Sequence, residues 1–237
     1  MLALFKMKRR SPQLALGLKP RFGWGGARKG AGRKPTGTAG VPHRARERVL
    51  SRHPSHVTLR VLRGLPSLRT QRCFARVRQA MVQGCDRSGF RLIHFSVQTN
   101  HLHLIVEAAD EVTLSRGIKG LEVRIARRLN ALIRRKGRFF SDRYHARALT
   151  TPREVRAAIA YVLLNSRKHA HQSGKKLSSD RADPLSSAIY FDGWRDPITC
   201  IAHREDPSPV TKAETWLLRE GWKRHGLISV SEIPACA

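Results

Sequence analysis

The chain has 237 residues, 41% of them hydrophobic, enough for one core of ordinary size plus extensions. Lys and Arg number 46 against 17 Asp and Glu, a formal charge of +29; such an excess strains a compact state by self-repulsion and suits a polyanionic partner, nucleic acid first. No run of about 18 apolar residues exists to span a membrane, and no basic amphipathic segment carries a large aromatic face to lie on one.

Residues 1–54 are basic, rich in Gly and Pro, and contain Glu47 as their single carboxylate. The opening MLALFKMKRR places its charges after a short apolar stretch, unlike a secretory signal. GWGGARKGAGRKPTGTAG (23–40) cannot build a core and reads as a disordered arm. Within it, GRKP (32–35) holds Arg33 and Lys34 in a form close to a Gly-Arg-Pro minor-groove hook. A generic polybasic tail is the plainer reading of the same residues. Cys73, Cys85, Cys200 and Cys236 lack paired spacing and read as thiols of a reducing compartment.

HVTLRVL (56–62) reads as the first strand. In 67–84, Leu68, Phe74, Val77 and Met81 recur at helical spacing, and Gly84 marks the stop. FRLIHFSVQTNHLHLIVEA (90–108) reads as a hairpin turning at Thr99-Asn100. That register sets Ile93, Phe95 and Val97 opposite Val106, Leu104 and Leu102 on an apolar face. His94, Ser96 and Gln98 then face Ile105, His103 and His101 on a more polar one. His101 and His103 are two apart, so both imidazoles project from the same side. Two neutral imidazoles side by side can begin a metal site; two polar residues on a wet sheet face look the same in sequence.

A second helix spans 113–137, with Leu114, Ile118, Leu121, Ile125, Leu129 and Leu132 as its apolar stripe and Arg and Lys over much of the rest. Residues 138–150 read as a strand or extended segment. The helix at 151–171 opens on a capping box, Thr151 with Glu154, and Pro152 in the first turn. Val155, Ile159, Val162 and Leu163 form its buried side. Tyr161 lies away from that side, with Asn165 one turn later and Lys168 roughly another turn on. A helical aromatic off the core stripe is either packed on a neighbouring sheet or exposed for chemistry. Residues 172–210 are loop-rich, and 213–226 read as a last short helix.

NHLHLIVEA (100–108), the basic second helix, FFSDRYHARAL (139–149) and AAIAYVLLNSRKH (157–169) occur in an order that resembles the REP-associated tyrosine transposases. These are IS200-like members of the HUH group of single-tyrosine, single-strand DNA nucleases. The His-hydrophobic-His signature corresponds to His101-Leu102-His103, and the tyrosine pattern to Tyr161-Val162-Leu163-Leu164-Asn165. Thr99 and Ser166 stand where the family usually has proline; neither change removes a reactive group. The resemblance covers about residues 55–171, leaving 1–54 as an arm and 172–237 as an extension without an assigned role.

The resemblance implies an α+β fold, a ferredoxin-like antiparallel sheet with helices on one face. It implies one divalent ion, Mg²⁺ or Mn²⁺, on His101 and His103, with Asn165 as third ligand and Gln98 as its alternative. Tyr161 is then the nucleophile, forming a 5′-phosphotyrosine link to single-stranded or hairpin DNA. Lys168 and the second-helix residues Arg124, Arg127 and Arg128 would hold the flanking backbone. The expected setting is cytoplasmic and nucleoid-associated, with a homodimer left open. Two other readings remain on sequence alone: a repeat-hairpin binding protein without strand transfer, and a basic nucleic-acid-binding module whose histidines are structural.

Overall fold

The computed structural model describes residues 48–174, 181–198 and 207–234. Of the expected arm (1–54), residues 1–47, including Arg33 and Lys34, lie outside them, as do Cys200 and Cys236, whereas 48–54 are described. Cys73 and Cys85 are free thiols. No helix among the described residues is long and apolar enough to cross a membrane.

Five antiparallel strands form one sheet: β1 (Ser55–Arg60), β2 (Asp86–Arg87), β3 (Phe90–Val97), β4 (His101–Ala108) and β5 (His145–Ala148), in the order β2-β3-β4-β1-β5. Two helices make the crossovers, α1 (Gln71–Val82) after β1 and α2 (Glu111–Leu132) after β4. Without the short β2, this is the ferredoxin-like arrangement. Each crossover helix starts where a side chain satisfies a free backbone N–H: Thr70 accepts from Cys73, and Asp110 from Thr113.

The sheet carries a core on each face. On one, Val57, Leu59, Leu92, Phe95, Val97, Leu102, Leu104 and Val106 pack under Val77 and Met81 of α1 and Leu114, Ile118, Leu121, Ile125 and Leu129 of α2. These are the stripes that helical spacing predicts; Phe74 and Leu132 are only partly buried, at the margin. Gly117 lets α2 approach the Phe90 ring, where a Cβ would collide. α1 and α2 are therefore the helices of the expected one-sided layer. The other face is not left to solvent: α3 (Pro152–Leu163) covers Ile93 and Ile105 with Val155, Ile159, Val162 and Leu163. The expected capping box at Thr151 and Glu154 is present.

The hairpin register agrees with the alternation from His94↔Ile105 through Ser96↔His103 and Val97↔Leu102. It departs at Ile93. A bulge between Leu92 and His94 puts Leu92, not Ile93, opposite Val106 and turns Ile93 to the α3 face. The single helix expected over 151–171 is two helices. Leu164, at ψ 16°, interrupts it, and α4 (Asn165–Gln172) follows.

The segment after residue 181 is built into the sheet. Val97 N–H donates to Leu185 O at 2.9 Å and Phe95 N–H to Ser187 Oγ at 2.9 Å, which covers a β3 edge that would otherwise invite pairing. Arg69 clamps the start of this strap through a bidentate pair with Asp183, 2.9 Å on each arm. Further on, α5 (Trp216–Arg219) and Trp222, Ile228 and Val230 complete the core over α3, and Arg156 of α3 pairs with Glu232 at 2.9 Å.

His94 is enclosed on this face, its Nδ1 3.4 Å from Ser187 Oγ. Burial lowers its pKa from 6.5 to about 4, against an opposing pull from Asp192. Between those values the unfolded chain binds a proton that the native state refuses, so stability falls as pH drops from 6.5 towards 4. His94→Gln should remove up to about 1.4 kcal/mol per pH unit from that slope. Urea midpoints of both proteins between pH 7 and 5 read the difference; parallel slopes would show that His94 does not contribute.

Candidate active site

The polar stripe of the hairpin faces α3, not the α1–α2 layer. Leu102 and Leu104 enter the first core, so His101 and His103 point the other way. Their Nε2 atoms lie 3.0 Å apart and their rings meet edge to face, centroids 4.7 Å apart. His101 is fixed behind by Asn100, whose Oδ1 is 2.8 Å from its Nδ1.

Tyr161 sits on the exposed side of the α3 stripe and is half-buried. Its ring stands edge-on to His103, centroids 5.1 Å apart, and to His56 of β1 at 5.7 Å. Lys168, one turn into α4, places Nζ 4.7 Å from the centroid of the tyrosine ring. The interruption at Leu164 sets Asn165 at the head of α4, fully buried, with neither amide atom hydrogen-bonded. A buried amide without a partner costs about 1–3 kcal/mol, so it marks a place where a ligand is missing or strain is stored. Gln98 is also buried and donates to Ser96 Oγ at 2.7 Å; it lines a cavity of about 770 Å³ with His101, Ser166 and His169.

Burial, reinforced by neighbouring cationic groups, depresses both imidazole pKa values. His101 falls to about 4, through burial first and then His169 and Arg60. His103 falls to about 3, through burial and then His56, His101, His169 and Lys168. Both are neutral at pH 7, the form that ligates metals. Among the described residues no group of three or more His, Cys, Asp or Glu is placed to hold a metal ion, so an ion here needs amide, water or substrate oxygens besides the two histidines. The two imidazoles fit such an ion. Adjacent ligands of an octahedral ion at about 2.1 Å are about 3 Å apart, as the two Nε2 atoms are; the buried Asn165 amide, at the head of α4, is a hard oxygen donor without a partner.

Four of the residues singled out by sequence thus belong to one layer: His101, His103, Tyr161 and Lys168. Arg124, Arg127 and Arg128 do not join them. They ride on α2, across the sheet, where Arg124 is held beside Gly84 and Gly120 and feels Arg87 and Arg128 as like charges. Sequence reading missed His56, Thr58 and His169. His56 and Thr58 alternate with Val57 and Leu59, and that period-two signal marks a polar strand face.

Residues 52–163 match the family model described as Transposase IS200 like. A solved REP-associated tyrosine transposase bound to a REP hairpin superposes with a TM-score of 0.50 at 19% identity, over 63% of this chain and 84% of that one. At that identity the likeness shows the fold. A transposase candidate from Deinococcus radiodurans R1 matches 59% of this chain and 100% of its own at 10% identity, with a TM-score of 0.36. No curated protein matches.

Proposed function

We propose that the protein, whose residues 52–163 match the family model described as Transposase IS200 like, cleaves and rejoins single-stranded DNA through Tyr161, at hairpin-forming repeats. The observation that carries this is the meeting, within one chain, of the Tyr161 ring with the paired His101 and His103, the tyrosine ring 5.1 Å from that of His103. A structural histidine pair needs no phenol held beside it off the core stripe.

The Tyr161 hydroxyl attacks the scissile phosphorus. The phenolic O–P bond forms, the phenol gives up its proton, and the P–O3′ bond breaks, with the departing oxygen taking a proton to become a 3′-hydroxyl. The 5′-phosphotyrosine keeps the energy of the phosphodiester, so attack by another 3′-hydroxyl rejoins strands without ATP. His101, His103 and Asn165 would hold a divalent ion, Mg²⁺ or Mn²⁺, which would supply charge withdrawal from the phosphate. Gln98 is the alternative third ligand. Lys168, beside the tyrosine, contacts the phosphate backbone there. Arg124, Arg127 and Arg128, on the far layer, hold a more distant part of the DNA. The hairpin carried by the similar solved transposase supports a hairpin substrate.

Incubation with labelled single-stranded hairpin DNA and Mn²⁺ should give a denaturation-resistant protein–DNA complex; with EDTA it should be absent. A complex that never becomes covalent would favour a repeat-binding protein without strand transfer.

The basic arm adds a further expectation. Val49 packs on the core and Pro54 O accepts from Leu149 N–H at 2.8 Å, so a clean deletion stops at residue 47. Residues 1–47 hold 12 Lys and Arg. Each phosphate contact adds about 0.9 to the log–log salt slope on duplex DNA. Deleting the arm should weaken binding and flatten that slope, measured by titration at several salt concentrations. An unchanged slope would show that the arm does not touch DNA.

A further inference from the structure

We propose that His56 is a positioning residue that decides whether the His101–His103 pair is open to an ion. This rests on the reading of those two histidines as ion ligands. β1 pairs with β4 so that Thr58 lies directly opposite His103 and His56 opposite Ile105. Residues facing each other across the ladder share a side of the sheet, so His56 and Thr58 reach His103 from behind. His56 Nε2 is 3.2 Å from His103 Nδ1, and Thr58 Oγ1 is 3.3 Å from the same atom.

The protons follow from what each group can do. Asn100 Oδ1 only accepts, so His101 carries its proton on Nδ1 and presents a lone pair at Nε2. His103 Nε2, 3.0 Å away, has two options. With its proton on Nε2, His103 donates to His101, both lone pairs are used, and the pair is closed. With its proton on Nδ1, the two Nε2 lone pairs face one another and the pair is open to a cation. The open form needs an acceptor behind Nδ1. His56 is that acceptor when its own proton is on Nδ1 and its Nε2 is bare. The Thr58 hydroxyl both donates and accepts, so it tolerates either form and selects neither. Fixing a ligand histidine through its second nitrogen is worth about 10–100-fold in metal affinity. His56 also touches Tyr161, so it aligns the nucleophile with the same pair of ligands.

The experiment uses the full chain with ¹⁵N-labelled histidine. Long-range ¹H–¹⁵N correlation spectra report the tautomer of His103, and electron paramagnetic resonance of free Mn²⁺ reports affinity. The wild type should show His103 as the Nδ1–H form. His56→Leu should shift it to the Nε2–H form and weaken Mn²⁺ binding at least about 10-fold. His56→Gln, whose amide oxygen accepts, should recover most of both. An Nε2–H His103 in the wild type, unchanged Mn²⁺ affinity in His56→Leu, or a His56→Gln no better than His56→Leu overturns the proposal. His101→Ala separates the levels: if it too binds Mn²⁺ as the wild type does, the ion site itself is wrong. If it loses Mn²⁺ while His56→Leu does not, only the positioning role fails.

Discussion

Tyr161→Phe is expected to eliminate the covalent DNA adduct and strand transfer completely while leaving the protein folded and able to bind DNA. The ring keeps its edge contacts with His103 and His56 and its cation–π partner Lys168, because none of these needs the hydroxyl. Tyr161 is half-buried and off the stripe that packs α3 on the sheet. The change in stability should therefore stay within about 0.5 kcal/mol, as for substitutions outside the core. Denaturant melts, DNA titration and adduct gels on one preparation check all three statements. A variant that still forms the adduct shows that another nucleophile acts.

His101→Ala should lower Mn²⁺-dependent cleavage by at least about 1,000-fold, because it removes one of the two imidazoles proposed to hold the charge-withdrawing ion. DNA affinity should hardly change, since binding is spread over many Arg and Lys. His103→Ala should have the same catalytic effect with an added structural cost. His103 is buried between His56, Thr58 and Tyr161, so its loss leaves a cavity and unpaired polar neighbours, a destabilisation of about 1–3 kcal/mol. His103→Gln, which fills more of the space, distinguishes lost ligation from lost packing. Cleavage at the wild-type rate in either alanine variant, with divalent ion present, contradicts the ion-site reading.

Much of this arrangement could be read from local periodicity. The α2 stripe from Leu114 to Leu129 is buried as its spacing demands, and Tyr161 is off the α3 stripe because 3.6-residue geometry puts it there. Period-two alternation along β4 placed both histidines on one strand face. What failed to show is whatever depends on a local break or a distant partner. The bulge at Ile93 hides inside a run of apolar and polar residues that alternates well enough to be read straight through. The interruption at Leu164 carries neither Gly nor Pro. His56 is a lone histidine until β1 is laid beside β4, and Arg124 and Lys168 look alike in sequence although a sheet separates them. The strap from Asp183 to Ser187 owes its place to Arg69 and β3, about a hundred residues earlier, and no local pattern announces such a pairing.

Tyr161 is the residue expected to become joined to DNA. Only three tyrosines are available. Tyr144 is part of the α1–α2 core on the opposite face, and Tyr190 ends the 3₁₀ turn of the C-terminal segment. The direct measurement is mass spectrometry of the protease-digested adduct formed with single-stranded hairpin DNA and Mn²⁺. The phosphorylated nucleotide should map to the peptide containing Tyr161, and Tyr144→Phe and Tyr190→Phe should both still yield it. A nucleotide on the 138–150 peptide, or on that of Tyr190, contradicts the assignment.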